Sequence, residues 1–157
     1  MNYQFDLRDP QDTVKFGEAI AAKLLPGDAL LLSGPVGAGK SLLARAIIKY
    51  LCGQQIDVPS PSFTLVQSYP SPVGEILHVD LFRLQGDQDA ANLGLAEMFP
   101  AAITLIEWPD RLELLAPVKS ISIDLQPDFA DENLRKVQLN STGNWLWLPG
   151  LMESFVA

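Results

Sequence analysis

Leu30-Leu31-Leu32-Ser33-Gly34-Pro35-Val36-Gly37-Ala38-Gly39-Lys40-Ser41-Leu42-Leu43-Ala44-Arg45 runs from an unbroken apolar segment through a glycine-rich turn into residues at helical spacing. Gly34, Gly39, Lys40 and Ser41 meet the pattern Gly-x-x-x-x-Gly-Lys-Ser, the signature of a phosphate-binding P-loop. Each residue type there has a physical task. Gly37 and Gly39 permit backbone angles that other residues resist, so several N–H groups can converge on phosphate oxygens. The helix opening near Gly39 directs its positive dipole end to the same place. Lys40 supplies an ammonium for β- and γ-phosphates, and the Ser41 hydroxyl is short enough to ligate a magnesium ion bridging them. The apolar run before the glycines, with Leu42-Leu43, Ala46-Ile47-Ile48 and Leu51 after them, gives the strand, loop and helix setting that such a motif requires. Nucleotide binding is the resulting expectation.

The 157 residues, 48% hydrophobic and 19% charged, suffice for a single domain over 1–157 with a core of its own. A net charge of −8 argues against a protein that grips nucleic acid by itself, because that affinity comes mostly from basic side chains on phosphates. Any RNA would be held by a partner. Cys52 is the only cysteine, which leaves no internal disulfide, suits a reducing cytosol and fits core packing at a helix end. Met1 to Asp6 lack a basic start and an apolar block, and no apolar run approaches membrane-spanning length. A cytoplasmic protein without a membrane partner is expected.

In chain order, Tyr3, Phe5 and Leu7 alternate as a short edge strand. Asp9 to Asp12 offer a helix start, and Val14, Phe16, Ile20, Ala21, Leu24 and Leu25 form a stripe down a helix closed by Pro26-Gly27. Strand 29–33, the P-loop and helix 40–52 follow, with Gly53 ending the helix and Pro59-Ser60-Pro61-Ser62 in a loop. Strands 63–69 and 75–81 are joined by five residues, too few for a parallel crossover, so they should pair as an antiparallel hairpin. Residues 87–99 read as a short helix with Ala90, Ala91, Leu93 and Leu95 inward and a break at Gly94; 103–107 is a buried strand. Pro109 to Leu115 permits a helical turn or two. Residues 121–125 and 134–140 finish the strands, and the apolar tail 141–157 should pack on the body. The sum is a three-layer α/β domain: a mixed, mostly parallel sheet with an antiparallel hairpin, and helices on both faces.

Ligands of an open α/β sheet sit beyond the carboxyl ends of its strands, so acids that end apolar runs are the ones to weigh. Asp80 follows Ile76-Leu77-His78-Val79, and Glu107 follows Ile103-Thr104-Leu105-Ile106. A P-loop magnesium ion takes an acidic residue, and hydrolysis takes a group that orients or deprotonates water, so the two acids supply one for each task in either assignment. Thr64 lies past a proline-stiffened loop, where a hydroxyl can sense a γ-phosphate or merely start a strand. His78 between apolar neighbours reads as a satisfied core histidine rather than a proton shuttle. Trp108, next to Glu107, should lie near the nucleotide, and Arg83 should reach a phosphate or pair with Asp87. The turn at Asp12-Thr13 and Arg135 are candidates for recognising a base.

Four motifs in this order resemble the bacterial TsaE family: Gly34 to Ser41, Val58-Pro59-Ser60-Pro61-Ser62-Phe63-Thr64-Leu65-Val66, His78-Val79-Asp80-Leu81-Phe82-Arg83-Leu84, and Ile106-Glu107-Trp108-Pro109. The resemblance covers roughly residues 10 to 115. It implies a P-loop ATPase, taking ATP and Mg2+, that serves threonylcarbamoyladenosine modification of tRNA adenosine 37 together with TsaD and TsaB, which would hold the tRNA. By that similarity Gly34, Gly37, Ala38, Gly39, Lys40, Ser41, Leu42, Thr64 and Trp108 surround the nucleotide. Ser41, Glu107 and Asp80 serve the metal, and Glu107, Asp80 and Lys40 the chemistry. Leu42 stands where the family usually has a second hydroxyl, and Pro35 where it usually has an acid.

Two other classes fit a P-loop. A small-molecule kinase would pass phosphate to a bound hydroxyl, but such enzymes usually carry an arginine-bearing lid, and the five arginines here are not clustered. A nucleotide-gated module would bind without hydrolysis. Helical geometry suggests that Arg45 points away from the phosphates, and Arg111 falls in a surface turn. With so little positive charge in reach, a hydrolase of this sequence should be slow alone and helped by its partners.

Overall fold

The computed structural model describes residues 1–84, 91, 93–112 and 115–156. Its elements are β1 (Asn2–Leu7), α1 (Pro10–Ala21), β2 (Ala29–Ser33), α2 (Lys40–Cys52), β3 (Val66–Ser71), β4 (Gly74–Asp80), α3 (Leu95–Met98), β5 (Ala102–Glu107), β6 (Ser120–Pro127), β7 (Arg135–Thr142) and α4 (Leu148–Met152). The seven strands form one sheet in the order β1-β7-β6-β2-β5-β4-β3. Its four central strands, β6-β2-β5-β4, are parallel, and β1, β7 and β3 join antiparallel at the flanks. β2 is apolar from Ala29 to Leu32 because it lies between two parallel neighbours and is covered on both faces. The fold is the expected α/β class, and β3 with β4 is the expected antiparallel hairpin.

α1 and α2 cover one face. Asp9 caps α1 by accepting the Asp12 N–H at 2.9 Å, and Pro10 takes the first helical position, where no N–H is needed. Gly17 lets the two helices meet closely, since a Cβ there would lie 3.1 Å from both Ala46 Cβ and Leu43 Cδ1. α1 is shorter than its periodicity suggests: it ends at Ala21, so Leu24 turns into the core while Leu25 is left exposed. Phe16, Ile20, Leu43 and Ile47 pack there on Leu30 and Leu32 of β2.

The opposite face, with Leu31, Leu77, Val79 and Ile106, is closed by short pieces: Leu81, Leu84, α3 with Leu95, and Leu112 after a 3₁₀ turn at Pro109–Arg111. Of the helix expected over 87–99, α3 and a 3₁₀ turn at Phe99–Ala101 are seen; Leu95 is buried, Leu93 half-buried and Ala91 exposed, and Gly94 with φ 70° breaks the run. Ala90 and Asp87 lie outside the described residues. β3 begins three residues later than expected. Leu65 takes φ 66°, which turns the chain, so Phe63 and Thr64 belong to the loop and Phe63 is 83% exposed.

The C-terminal residues pack on the α1 face. Trp145, 1% exposed, donates its indole N–H to the Thr142 carbonyl at 2.9 Å, and the Phe155 ring meets Phe16 edge-on at 5.1 Å. Leu146 alone of the Trp-Leu-Trp-Leu run points fully outward. Replacing Trp145 by Ala should therefore cost about 3–5 kcal/mol of stability through the cavity it leaves. Urea unfolding of the variant checks this, and a loss below about 1 kcal/mol would mean that the tail contributes little to the core.

Candidate nucleotide site

The P-loop crosses from β2 to α2 with Gly34 at φ 132°, Gly37 at 84° and Gly39 at 105°, all in the region that favours glycine. Gly34 is needed twice over, because the Leu125 carbonyl oxygen of β6 sits where a Cβ would go. From outside, Arg135 of β7 braces the loop, its Nε donating to the Ala38 carbonyl at 2.9 Å and its terminal nitrogen to that of Gly37 at 3.3 Å. With its carbonyls held outward, the loop keeps its concave side for anions.

Lys40 is 5% exposed and folds back into the loop, donating to the carbonyls of Gly34 and, at 3.0 Å, Pro35. Its ammonium also lies 4.3 Å from the centre of the Trp108 ring. Burial lowers its pKa from the ordinary lysine value, against the opposing pull of Glu107, Asp80 and Asp124. Those backbone acceptors are weak ones, and a phosphate would displace them.

β4 and β5 pair so that Asp80 lies directly beside Glu107 at the carboxyl ends of the strands. The two acids have different partners. Glu107, 2% exposed, accepts the Ser41 hydroxyl at Oε1 at 3.0 Å and lies 2.7 Å from His78 Nε2 through Oε2. Asp80 accepts the Phe82 N–H at 3.0 Å and the Ser62 hydroxyl of the proline loop at 3.3 Å. Glu107 is thus tied to the P-loop helix and Asp80 to the loop before β3. His78 is buried as expected, yet its partner is a site carboxylate, and its Nδ1 has none among the described residues.

These groups surround a cavity of about 560 Å³. Gly37, Ala38, Gly39, Lys40, Ser41 and Leu42 line it, with Asp80, Glu107 and Trp108 facing them. Gly34 lies at the root of the loop, and the exposed Thr64 stands apart, its hydroxyl accepting from the Gln67 amide at 3.0 Å. Ser60 and Ser62 reach the cavity instead. Arg45 does not point away as expected: it lines the cavity, and its Nε donates to the Val58 carbonyl at 3.4 Å. The signal was available, since Arg45 is four residues past Ser41 and so shares its helix face. Arg83 also lines the cavity, with its guanidinium 4.4 Å from the Phe63 ring centre; Asp87 is outside the described residues. Arg111 lies in the 3₁₀ turn, 3.9 Å from Asp110. Around the outer side of the loop, Thr13 and Arg135 line one small cleft of about 60 Å³ with Ala38, Gly39 and Leu42. Asp12 is occupied elsewhere, accepting the Arg8 N–H at 2.9 Å.

Among the described residues no three His, Cys, Asp or Glu side chains group as a metal cage. The Ser41 hydroxyl beside the Glu107 carboxylate is an oxygen pair suited to magnesium, which takes few protein ligands and completes its shell with phosphate and water. The P-loop geometry itself is open to test. Gly34→Ala should lower stability by about 1–3 kcal/mol or more, because it adds a Cβ against backbone at a φ that side chains resist. Thermal unfolding reads the effect, and an unchanged midpoint would refute the loop conformation described.

The family described as threonylcarbamoyl adenosine biosynthesis protein TsaE matches residues 7–137. The tRNA threonylcarbamoyladenosine biosynthesis protein TsaE of Rickettsia bellii is 39% identical over 126 residues, 80% of this chain and 88% of that protein. The protein of the same name from Bacillus subtilis is 31% identical over 137 residues, 87% of this chain and 84% of its own length. The crystal structure of Bacillus subtilis YdiB superposes with a TM-score of 0.77 at 24% identity, covering 98% of this chain and 93% of that one, which shows the fold. No helix among the described residues is long and apolar enough to cross a membrane. With the match running from the end of β1 into β7, and so through every strand of the parallel centre, the chain belongs to the TsaE family.

Proposed function

We propose that the chain binds and hydrolyses ATP with magnesium as an accessory to threonylcarbamoyladenosine modification of tRNA adenosine 37, working in the cytoplasm with TsaD and TsaB homologues that hold the tRNA. The observation that carries the reading is the Ser41 hydroxyl at 3.0 Å from Glu107 Oε1, beside Lys40 on the P-loop. Loop amides and Lys40 receive the β- and γ-phosphates, and Ser41 and Glu107 hold the metal, which supplies charge neutralisation there. Asp80, joined to Ser62, links the proline loop to the phosphate end and is placed to orient the attacking water. Thr13 and Arg135 border the cleft in which a base would lie. The relatives' name and the family supply the pathway; the net charge of −8 supports leaving the tRNA to partners.

Turnover should be slow in isolation. Two guanidinium groups reach the cavity, but Arg45 is engaged with the Val58 carbonyl and Arg83 with the Phe63 ring, both on the loop before β3. Neither is free to meet a developing γ-phosphate charge until that loop moves, and a partner docked on the loop can move it.

Single-turnover hydrolysis measured for the chain alone, with alcohol acceptors, and with TsaD and TsaB homologues tests this directly. Partners should raise the rate and acceptors should leave it unchanged. An isolated chain already working at about 10 per second, with no gain from partners, would point to a free-standing enzyme. Lys40→Ala should weaken ATP binding strongly; Glu107→Gln should bind ATP but turn over at least about tenfold slower, about 1.4 kcal/mol in barrier. Normal turnover in the Gln variant would move the essential carboxylate to Asp80. ATP should also change tryptophan fluorescence through Trp108, and a Trp108→Phe variant that keeps the whole signal would place the reporter in the C-terminal tail.

A further inference from the structure

His78 is 1% exposed on β4, two residues before Asp80 and therefore on the same sheet face. Its Nε2 lies 2.7 Å from Glu107 Oε2, and its Nδ1 is buried with no partner among the described residues. The geometry decides which nitrogen carries hydrogen. A proton on Nδ1 would be a buried donor with nothing to accept it, and the bare Nε2 would then press its lone pair against a carboxylate oxygen. Hydrogen on Nε2 alone avoids both, so His78 donates to Glu107. Nδ1 has no relay onward, which removes a proton-shuttle role.

The two oxygens of Glu107 are thereby divided. Oε2 is held by His78, and Oε1 faces the Ser41 hydroxyl. A glutamate at a strand end has several rotatable bonds, and without the imidazole nothing in the described structure fixes the second oxygen. A leucine would fill the same buried volume with no unsatisfied nitrogen of its own but would leave Glu107 Oε2 without its donor, so it is the hydrogen bond and not packing that accounts for a histidine here. We propose that His78 is a positioning residue for the metal side of the site: its Nε2–H fixes the carboxylate of Glu107 so that the other oxygen is presented beside Ser41. The proposal rests on the assignment of Ser41 and Glu107 to magnesium.

The test is a magnesium titration of binding to a non-hydrolysable ATP analogue, preceded by analogue affinity in a chelator. His78→Leu removes the donor, His78→Asn shortens it out of reach, and His78→Gln keeps an N–H that reaches Glu107. All three should bind the analogue without metal nearly as the parent does. The magnesium midpoint should rise by about 10–100-fold in the Leu and Asn variants and stay within about threefold in Gln. On a Glu107→Gln background, His78→Asn should add nothing, because the histidine acts through that carboxylate. Thermal unfolding monitors folding, and the Asn and Gln pair decides the matter if the Leu variant does not fold. Unchanged midpoints in Leu and Asn overturn the proposal, and so does a Gln variant that fails with them. A parent chain whose analogue affinity ignores magnesium removes the metal assignment itself, and the proposal with it, in a measurement that involves no His78 variant.

Discussion

Everything at this site depends on the register of three parallel strands. Leu32 of β2 pairs with Glu107 of β5, and Glu107 pairs with Asp80 of β4, so the three residues form one row across the sheet. The P-loop therefore leaves β2 one step beyond the level of the carboxylates, and Ser41, at the start of α2, returns to meet Glu107. Side chains alternate with a period of two along a strand, so a one-residue slip in either pairing would send an acid to the opposite face, among Leu31, Val79 and Ile106. The apolar composition of β2, β4 and β5 prevents that slip. The hydrophobic pattern that builds the core thus also aims the chemistry.

In the proposed function, electrostatics would couple nucleotide to metal. Lys40, Asp80 and Glu107 are all nearly buried, so one ammonium and two carboxylates lie together where charges are poorly screened, with Arg45 and Arg83 on the cavity wall. A polyanionic nucleotide entering there would meet the two carboxylates as well as the cations, and a divalent cation arriving with it would offset the carboxylate charge. The pull of both acids on Lys40 opposes the desolvation that lowers its pKa, and so favours the charged ammonium where phosphates would bind.

What the sequence made legible followed from local rules. Fixed spacing marked the P-loop, alternation marked the strands, short connection length forced the hairpin, and termination of apolar runs singled out Asp80 and Glu107. What it hid came from contacts between distant segments. Nothing near His78 in the chain announces Glu107, and nothing near Ser62 announces Asp80; both pairs arise only when β4 lies beside β5 and the proline loop folds over its end. Phe63 and Thr64 read as strand because aromatic and β-branched residues favour it, yet the turn at Leu65 overrides that preference. Arg45 was misread for a different reason. Its stem follows the Ser41 face of α2, but a long side chain swings toward whichever acceptor is free, and the Val58 carbonyl draws it over the cavity.

Among the described residues only Leu65, at φ 66°, and Trp108, at φ 60°, hold the left-handed backbone without being glycine. For a branched or bulky side chain that conformation costs on the order of 1–3 kcal/mol and persists only where its surroundings over-determine it. Both join the backbone of a site acid. The Leu65 carbonyl accepts the Asp80 N–H at 2.9 Å, and its own N–H closes on the Pro61 carbonyl at 2.7 Å, which pins the loop carrying Ser62 to the end of β4. Trp108 follows Glu107, donates its backbone N–H to the Leu32 carbonyl at 3.3 Å, and by turning there lays its ring beneath Lys40. Each of these residues thus joins one acid to a neighbouring part of the cavity wall, the proline loop or the lysine. A phosphate that draws Lys40 off the carbonyls of Gly34 and Pro35 would also take it from the face of Trp108.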